Sequence, residues 1–325
     1  MTKKFENILI TGGAGYIGSH VAKQLEKNYK IFIIDNLSNG YKKLIIPNSK
    51  FINVDINNYN VLCRVFEKNN IDVVIHCAAL LSVEESMKKK ALYYKNNVDG
   101  TTTLLKAMKK SKIKNLIFSS TCSVYGKVGL SVSENNKTNP ISNYGKTKLK
   151  CEKIIKKFYT NGYLKNCIIL RFFNVAGSDY NNGLGQIKKN GQLIKNLCLA
   201  PKMKQKNFYI NGKDYNTKDG TCIRDYIHVI DLANIHKKVL KKFRKASTFK
   251  ILNCGYGKGF SVLEIVEKFQ KISNYKLNII YKSRRSGDPP AVVSNVKKLN
   301  NFLKFKPKFN SLKKILSSSY EWEKY

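Results

Sequence analysis

Residues 8–18, Ile8-Leu9-Ile10-Thr11-Gly12-Gly13-Ala14-Gly15-Tyr16-Ile17-Gly18, constrain the fold of this chain more than any other stretch. An apolar run is followed by a burst of glycines and then by Ser19-His20-Val21-Ala22-Lys23-Gln24-Leu25, which has helical spacing. The pattern predicts a strand, a tight turn and a helix. Glycine lets the backbone approach a ligand closely, and a helix N-terminus favours a pyrophosphate. A second apolar run, Ile31-Phe32-Ile33-Ile34, ends on Asp35. That places a carboxylate about 20 residues beyond the glycines, where it would bond the adenosine ribose of a dinucleotide. Asp35 would repel a 2′-phosphate, so the reading is NAD rather than NADP.

The rest of the N-terminal half alternates strand and helix signals. Phe51-Ile52-Asn53-Val54-Asp55-Ile56 is a short strand with an acidic end, and Asp55 is placed to meet the adenine amino group or to cap the following helix. Ile71 to Ala79 is a buried strand running into small residues, which leave room for a ligand at a strand's carboxyl end. His76 within it reads as a packed histidine. Asn115 to Gly126 is a strand ending in hydroxyl residues, and Cys167 to Asn174 is another strand. The expectation is an α/β fold, a doubly wound parallel sheet of the Rossmann type, over residues 1–177 with about 223–245 returning to it. Residues 178–222 and 246–325 are expected to form a smaller, discontinuous α/β lobe that binds substrate, with a cleft between lobes as the default site.

Composition narrows the function. Sixty Lys and Arg against 21 Asp and Glu give a net charge of +39. The lysines are spread through every segment, with no Arg-rich block and no basic stripe interleaved with aromatics, so the charge reads as compositional bias and no nucleic-acid partner is expected. No apolar run approaches a membrane span, and Met1-Thr2-Lys3-Lys4-Phe5-Glu6 lacks the apolar core of a secretory signal. The eight cysteines contain no Cys-x-x-Cys pair. This fits a reduced cytoplasm and implies neither a disulfide framework nor a metal site.

Tyr144 and Lys148 lie one helical turn apart and share a face. A free phenol is a poor base at neutral pH, but a neighbouring ammonium favours the phenolate. Tyr144 thereby becomes an acid/base for a sugar hydroxyl, with Ser123 bonding the same oxygen.

At these residues the chain resembles the extended short-chain dehydrogenase/reductases. The resemblance rests on the glycine turn, Tyr93-Tyr94…Asn96-Asn97-Val98, Ser119-Ser120…Val124-Tyr125-Gly126, Tyr144…Lys148 and Arg171-Phe172-Phe173-Asn174. Gly212-Lys213-Asp214-Tyr215, Asp219-Gly220-Thr221, Arg224 to Val229 and Arg284 to Pro289 resemble the subgroup that 4-epimerises UDP-sugars of the glucose/galactose type. The resemblance implies an isomerase with resident NAD that works through a transient 4-keto sugar. It implies catalytic Tyr144, Lys148 and Ser123. It implies cofactor contacts at Gly12, Gly15, Tyr16, Ile17, Gly18, Asp35, Asn36, Asp55, Ile56, Ala78, Asn97, Tyr144 and Lys148. Sugar-nucleotide contacts would come from Ser123, Tyr144, Asn174, Arg224, Arg285 and Asp288, and a homodimer is implied. N-acetylhexosamine and pentose nucleotides are alternative substrates; Val292 falls where side-chain size bears on that choice. A sugar-nucleotide dehydratase would carry Asp-Glu where this chain has Cys122-Ser123, and a non-catalytic NAD-binding protein would not need Tyr144, Lys148 and Ser123 together.

Overall fold

A computed structural model describes residues 5–188, 191–243, 247–285 and 288–324. The first apolar run forms β1 (Asn7–Thr11), and the helix opened by the glycines is α1 (Tyr16–Leu25). There follow β2 (Lys30–Asp35), β3 (Ser49–Asn53), α2 (Tyr59–Asn69), β4 (Val73–His76), α3 (Val83–Lys88), α4 (Lys90–Tyr93), α5 (Gly100–Lys110), β5 (Asn115–Thr121), β6 (Ser131–Val132), α6 (Asn143–Thr160), β7 (Asn166–Phe172) and β8 (Asn174–Ala176). The C-terminal part contains α7 (Leu193–Lys202), β9 (Asn207–Asn211), β10 (Ile223–His228), α8 (Val229–Lys242), β11 (Thr248–Cys254), β12 (Gly259–Ser261), α9 (Val262–Ser273), β13 (Asn278–Lys282), β14 (Ala291–Ser294), α10 (Lys297–Leu303) and α11 (Leu312–Lys324).

Two compact units divide the chain. The first comprises the residues up to Val124, Pro140–Arg171 and Ala233–Leu252. It is built on a seven-stranded sheet in the order β11-β7-β5-β4-β1-β2-β3. The pairs β1–β2, β1–β4, β2–β3 and β4–β5 are parallel. Strands covered on both faces read as unbroken apolar runs, which is why Ile8, Leu9 and Ile10 are fully buried. The sheet reverses its winding between β1 and β4, and ligands of such folds bind at the strand ends beside that reversal. Thr11 pairs with His76 there. Ser142 caps α6 by accepting from the Gly145 N–H, which fixes where the helix carrying Tyr144 begins.

The second unit comprises Tyr125–Asn139, Phe172–Leu232 and Asn253–Tyr325. Its sheet runs β12-β10-β14-β6, with β8 also on β10, and β9 pairs β13 in a separate parallel ribbon. Ile194, Leu197, Phe208, Phe269, Ile315 and Leu316 form its apolar core. A capping box between Ser261 and Glu264 starts α9.

The divisions differ from those expected from sequence. Residues 125–139 join the second unit because β6 pairs with β14. Residues 223–232 join it because β10 is the hub of that sheet. Residues 233–252 return to the first unit, where β11 forms the sheet edge. Pairing between strands distant in sequence decides membership, and periodicity does not report it.

Candidate active site

The glycine turn is built for close approach. Gly12 has φ +68, and a Cβ there would lie 2.7 Å from the Ala78 backbone nitrogen. At Gly18 a Cβ would collide with the Gly12 carbonyl. Gly15 is the N-cap of α1 and no side chain caps that end. Gly15, Tyr16, Ile17 and Ala78 are half-buried. A short turn and a ten-residue helix whose N-terminus carries no side-chain cap are what a pyrophosphate requires.

Asp35 ends β2 and accepts from the Ala14 N–H (3.1 Å) and the Leu37 N–H (2.9 Å). Burial pushes its carboxyl up while the two N–H bonds oppose the rise. Asn36 donates to Asp55 at 2.9 Å, so the ends of β2 and β3 are tied together. Asp55 also accepts from the Asn57 backbone and side chain. It does not cap α2, whose N-cap is Asn58. Ile56 is buried in the core behind this edge. The residues present therefore fit an adenine dinucleotide: a backbone cradle for phosphates, then a carboxylate at the neighbouring strand end.

Asn97 lies in one turn of π-helix, Tyr94–Asp99, between α4 and α5. Its amide donates to the Leu80 carbonyl (3.0 Å) and Thr147 Oγ1 (3.2 Å). It accepts from the Leu80 N–H and Asn96 Nδ2, both at 2.9 Å. An amide offers two donors and two acceptor sites, and the protein uses all four. This side chain holds the segment after β4 against α6.

His76 is fully enclosed. Thr101 donates to the Asn97 carbonyl (2.6 Å), so its oxygen receives the His76 Nε2 proton (2.9 Å), and Nδ1 accepts from Thr11 (2.7 Å). Burial pushes the imidazole down to about 3, so it stays neutral and structural.

Tyr144 and Lys148, the groups expected from sequence to react, sit where β5 ends against α6. Lys148 is 3% exposed and its Nζ donates to the Ser119 carbonyl at 2.8 Å, with the ammonium 4.8 Å from the Phe118 ring centre. Burial pulls its pKa down. The Tyr144 side chain is hydrogen-bonded to Thr121; burial pushes the phenol up and this bond opposes the rise. The sequence places Ser123 against the reacting sugar oxygen, and in the structure Ser123 is tied to Thr121: Thr121 Oγ1 donates to Ser123 Oγ (3.2 Å) and accepts from the Ser123 N–H (3.1 Å). The chain turns through Cys122–Val124 as it leaves β5. The available sequence signal for Thr121 was strand alternation, which puts it on the same face as Ser119.

In the second unit Arg224 Nη2 pairs with Asp288 Oδ1 at 2.5 Å, and Nη1 donates to the Ile223 carbonyl at 2.7 Å. Its sequence neighbour Asp225 is buried and instead accepts from the Tyr256, Gly257 and Ser294 N–H groups. Asn174 is hydrogen-bonded to the Tyr226 side chain, and burial pushes that phenol up to about 12. Arg285 is exposed. Val292, 8% exposed, lies beside Arg224 in the β10–β14 register.

The family described as NAD dependent epimerase/dehydratase matches residues 8–255. The chain belongs to this family. Within the range of the match lie the glycine turn, the end of β5 and the Tyr144–Lys148 helix. The chain is similar to the UDP-glucose 4-epimerase of Halalkalibacterium halodurans, 38% identical over 98% of this chain and 95% of that one. It is similar in structure to the UDP-glucose 4-epimerase of Brucella ovis solved with NAD, with TM-score 0.92, 36% identity and coverage of 97% and 98%. It also resembles the UDP-Glc/GlcNAc 4-epimerase of Campylobacter jejuni, with TM-score 0.86, 37% identity and coverage of 98% and 99%. All three cover nearly the whole chain, so the epimerase/dehydratase likeness extends over both units.

Proposed function

We propose that this chain is an NAD-dependent UDP-sugar 4-epimerase of the UDP-glucose/UDP-galactose type. The observation that carries the reading is the buried Lys148 ammonium, held on the Ser119 carbonyl at the end of β5 and one helical turn from Tyr144. A phenol in that setting takes a proton from a sugar hydroxyl and gives it back, because the cation favours its charged form. NAD held by these residues would supply a hydride acceptor for carbon 4 and a donor back to its other face. Tyr144 removes and restores the hydroxyl proton, Lys148 holds the charge beside it, and Thr121 with Ser123 orients the hydroxyl. Gly12, Gly15, Tyr16, Ile17 and Gly18 take the pyrophosphate; Asp35, Asn36 and Asp55 take the adenosine; Ala78 leaves room beside the turn. Arg224 and Arg285 suit phosphate oxygens, Asp288 suits ribose hydroxyls, and Asn174 suits the sugar nucleotide.

A dehydratase needs a carboxylic acid at the reacting carbon. This chain has Cys122-Ser123 where the dehydratase pattern carries Asp-Glu, which supports epimerisation instead. The test is a paired incubation of purified protein with UDP-galactose and UDP-N-acetylgalactosamine without added NAD, with products resolved by chromatography. The expected result is 4-epimer formation from UDP-galactose. No conversion of either sugar, even with NAD supplied, would sink the reading, and the product ratio ranks hexose against N-acetylhexosamine.

We also assign the protein to the cytoplasm, since all eight cysteines are free thiols. Among the described residues no helix is long and apolar enough to cross a membrane. A homodimer is supported by Leu81, Val83, Met87, Leu92 and Tyr94, each 46–57% exposed. Light scattering on a size-exclusion column should give twice the 37.1 kDa chain mass; a monomer mass at micromolar concentration would refute it.

A further inference from the structure

Three consecutive residues at the end of β5 hold three residues of α6 spaced one turn apart. The Ser119 carbonyl accepts from Lys148, the Thr121 hydroxyl meets Tyr144, and between them Ser120 Oγ donates to Glu152 Oε1 at 2.5 Å. Glu152 is also gripped from β7: Arg171 Nε donates to Oε1 at 3.0 Å and Nη2 to Oε2 at 2.6 Å. Glu152 and Arg171 are each 4% exposed. Neither has a place in the proposed chemistry. A buried ion pair is weak evidence for stability, because desolvation offsets its attraction. Its position is the informative feature: Glu152 lies one turn beyond Lys148 on the same helix, as Lys148 lies one turn beyond Tyr144.

We propose that Glu152, clamped by Arg171 and Ser120, is a positioning residue that keeps the Lys148 ammonium charged in its dry site and locks the register of α6 on β5. The inference rests on the reading of Tyr144 and Lys148 as the reacting pair. Four groups from β4, α6 and β5 bear on Lys148 besides Glu152. Cys77, just past β4, is a thiol pushed up to about 11, and His76 in β4 is neutral. Cys151 on α6 is a buried thiol pushed up, and Phe118 in β5 presents its ring. Burial drives Lys148 toward the neutral amine, and with the thiols protonated Glu152 is the carboxylate that opposes this. Arg171 keeps the carboxylate in place with a rigid fork that cannot be deprotonated.

The experiment titrates Lys148 directly by ¹³Cε-lysine NMR, with its resonance assigned by loss in Lys148→Arg, alongside the alkaline limb of the kcat–pH profile. In Glu152→Gln both midpoints should move to lower pH by about one unit, while Glu152→Asp, which keeps the charge, should stay near wild type. A purely structural role would lower kcat at every pH and leave the Lys148 midpoint where it was, and that result would overturn the proposal. If Glu152→Gln does not fold, Arg171→Met is the second arm: the carboxylate left to Lys148 alone should move the midpoint upward, and an unchanged midpoint would again overturn it. The NMR titration does not depend on turnover, so failure of the epimerase reading would show separately, as no conversion of either sugar nucleotide by the wild-type protein.

Discussion

Tyr144→Phe is expected to lower turnover of UDP-galactose by about 10³-fold or more while leaving bound NAD and thermal stability close to wild type. The ring fills the same space, so the packing at the start of α6 is kept. What disappears is the group that exchanges a proton with the sugar hydroxyl, and a positioned acid/base is worth roughly 10²–10⁴ in rate. The hydroxyl bonded to Thr121 goes with it. The companion variants rank the two hydroxyls that the structure orders in series. Thr121→Val removes the hydroxyl beside the phenol and should lower kcat more than Ser123→Ala, whose hydroxyl is bonded to Thr121. Steady-state kinetics with NAD content read from the denatured protein checks both. Undiminished turnover in Tyr144→Phe would refute the mechanism, and a larger loss in Ser123→Ala would reverse the order of the hydroxyls.

Gly12→Ala is expected to strip the protein of NAD. Two penalties fall on the same atom. Gly12 holds φ +68, which an L side chain adopts at a cost, and its new Cβ would sit 2.7 Å from the Ala78 backbone nitrogen and 2.8 Å from its Cα. Strained backbone and overpacking each cost on the order of 1–3 kcal/mol. Because the neighbour is backbone, it cannot rotate away; the turn and the end of β4 must separate, and the pyrophosphate cradle opens. Gly162→Ala is the control. It holds a similar φ of +75 but has nothing within 4 Å of the added carbon. It should lose about 1 kcal/mol of stability and keep its cofactor. Nicotinamide content and thermal midpoints of the two purified variants decide the matter; equal cofactor content would show that the approach to Ala78 does not shape the site.

The parts of the site that were legible in the sequence are those whose geometry is local. Gly12 to Gly18 are joined by a few bonds, so a strand, a turn and a helix start follow from the residues themselves. Tyr144 and Lys148 share a helix face because the helix repeat puts them there, and Asp35 is at a strand end because the apolar run before it stops. Tertiary structure decided everything that depended on one element meeting another. Ser123 is tied back to Thr121 because the chain turns through Cys122–Val124 as it leaves β5. Asn97 is spent on Leu80 and Thr147, since a π-turn packs it between two segments of the first unit. Arg224 passes over adjacent Asp225 for Asp288, because strand neighbours point to opposite faces and Asp225 turns into the β10–β14 core. Glu152 finds Arg171 only because β7 lies next to β5 in the sheet. By itself the sequence determined the local geometry, the apolar strands and thus the class of fold. The choice among chemically equivalent partners was left to packing, because hydrogen-bond and charge partners are selected by distance in space, which separation along the chain does not encode.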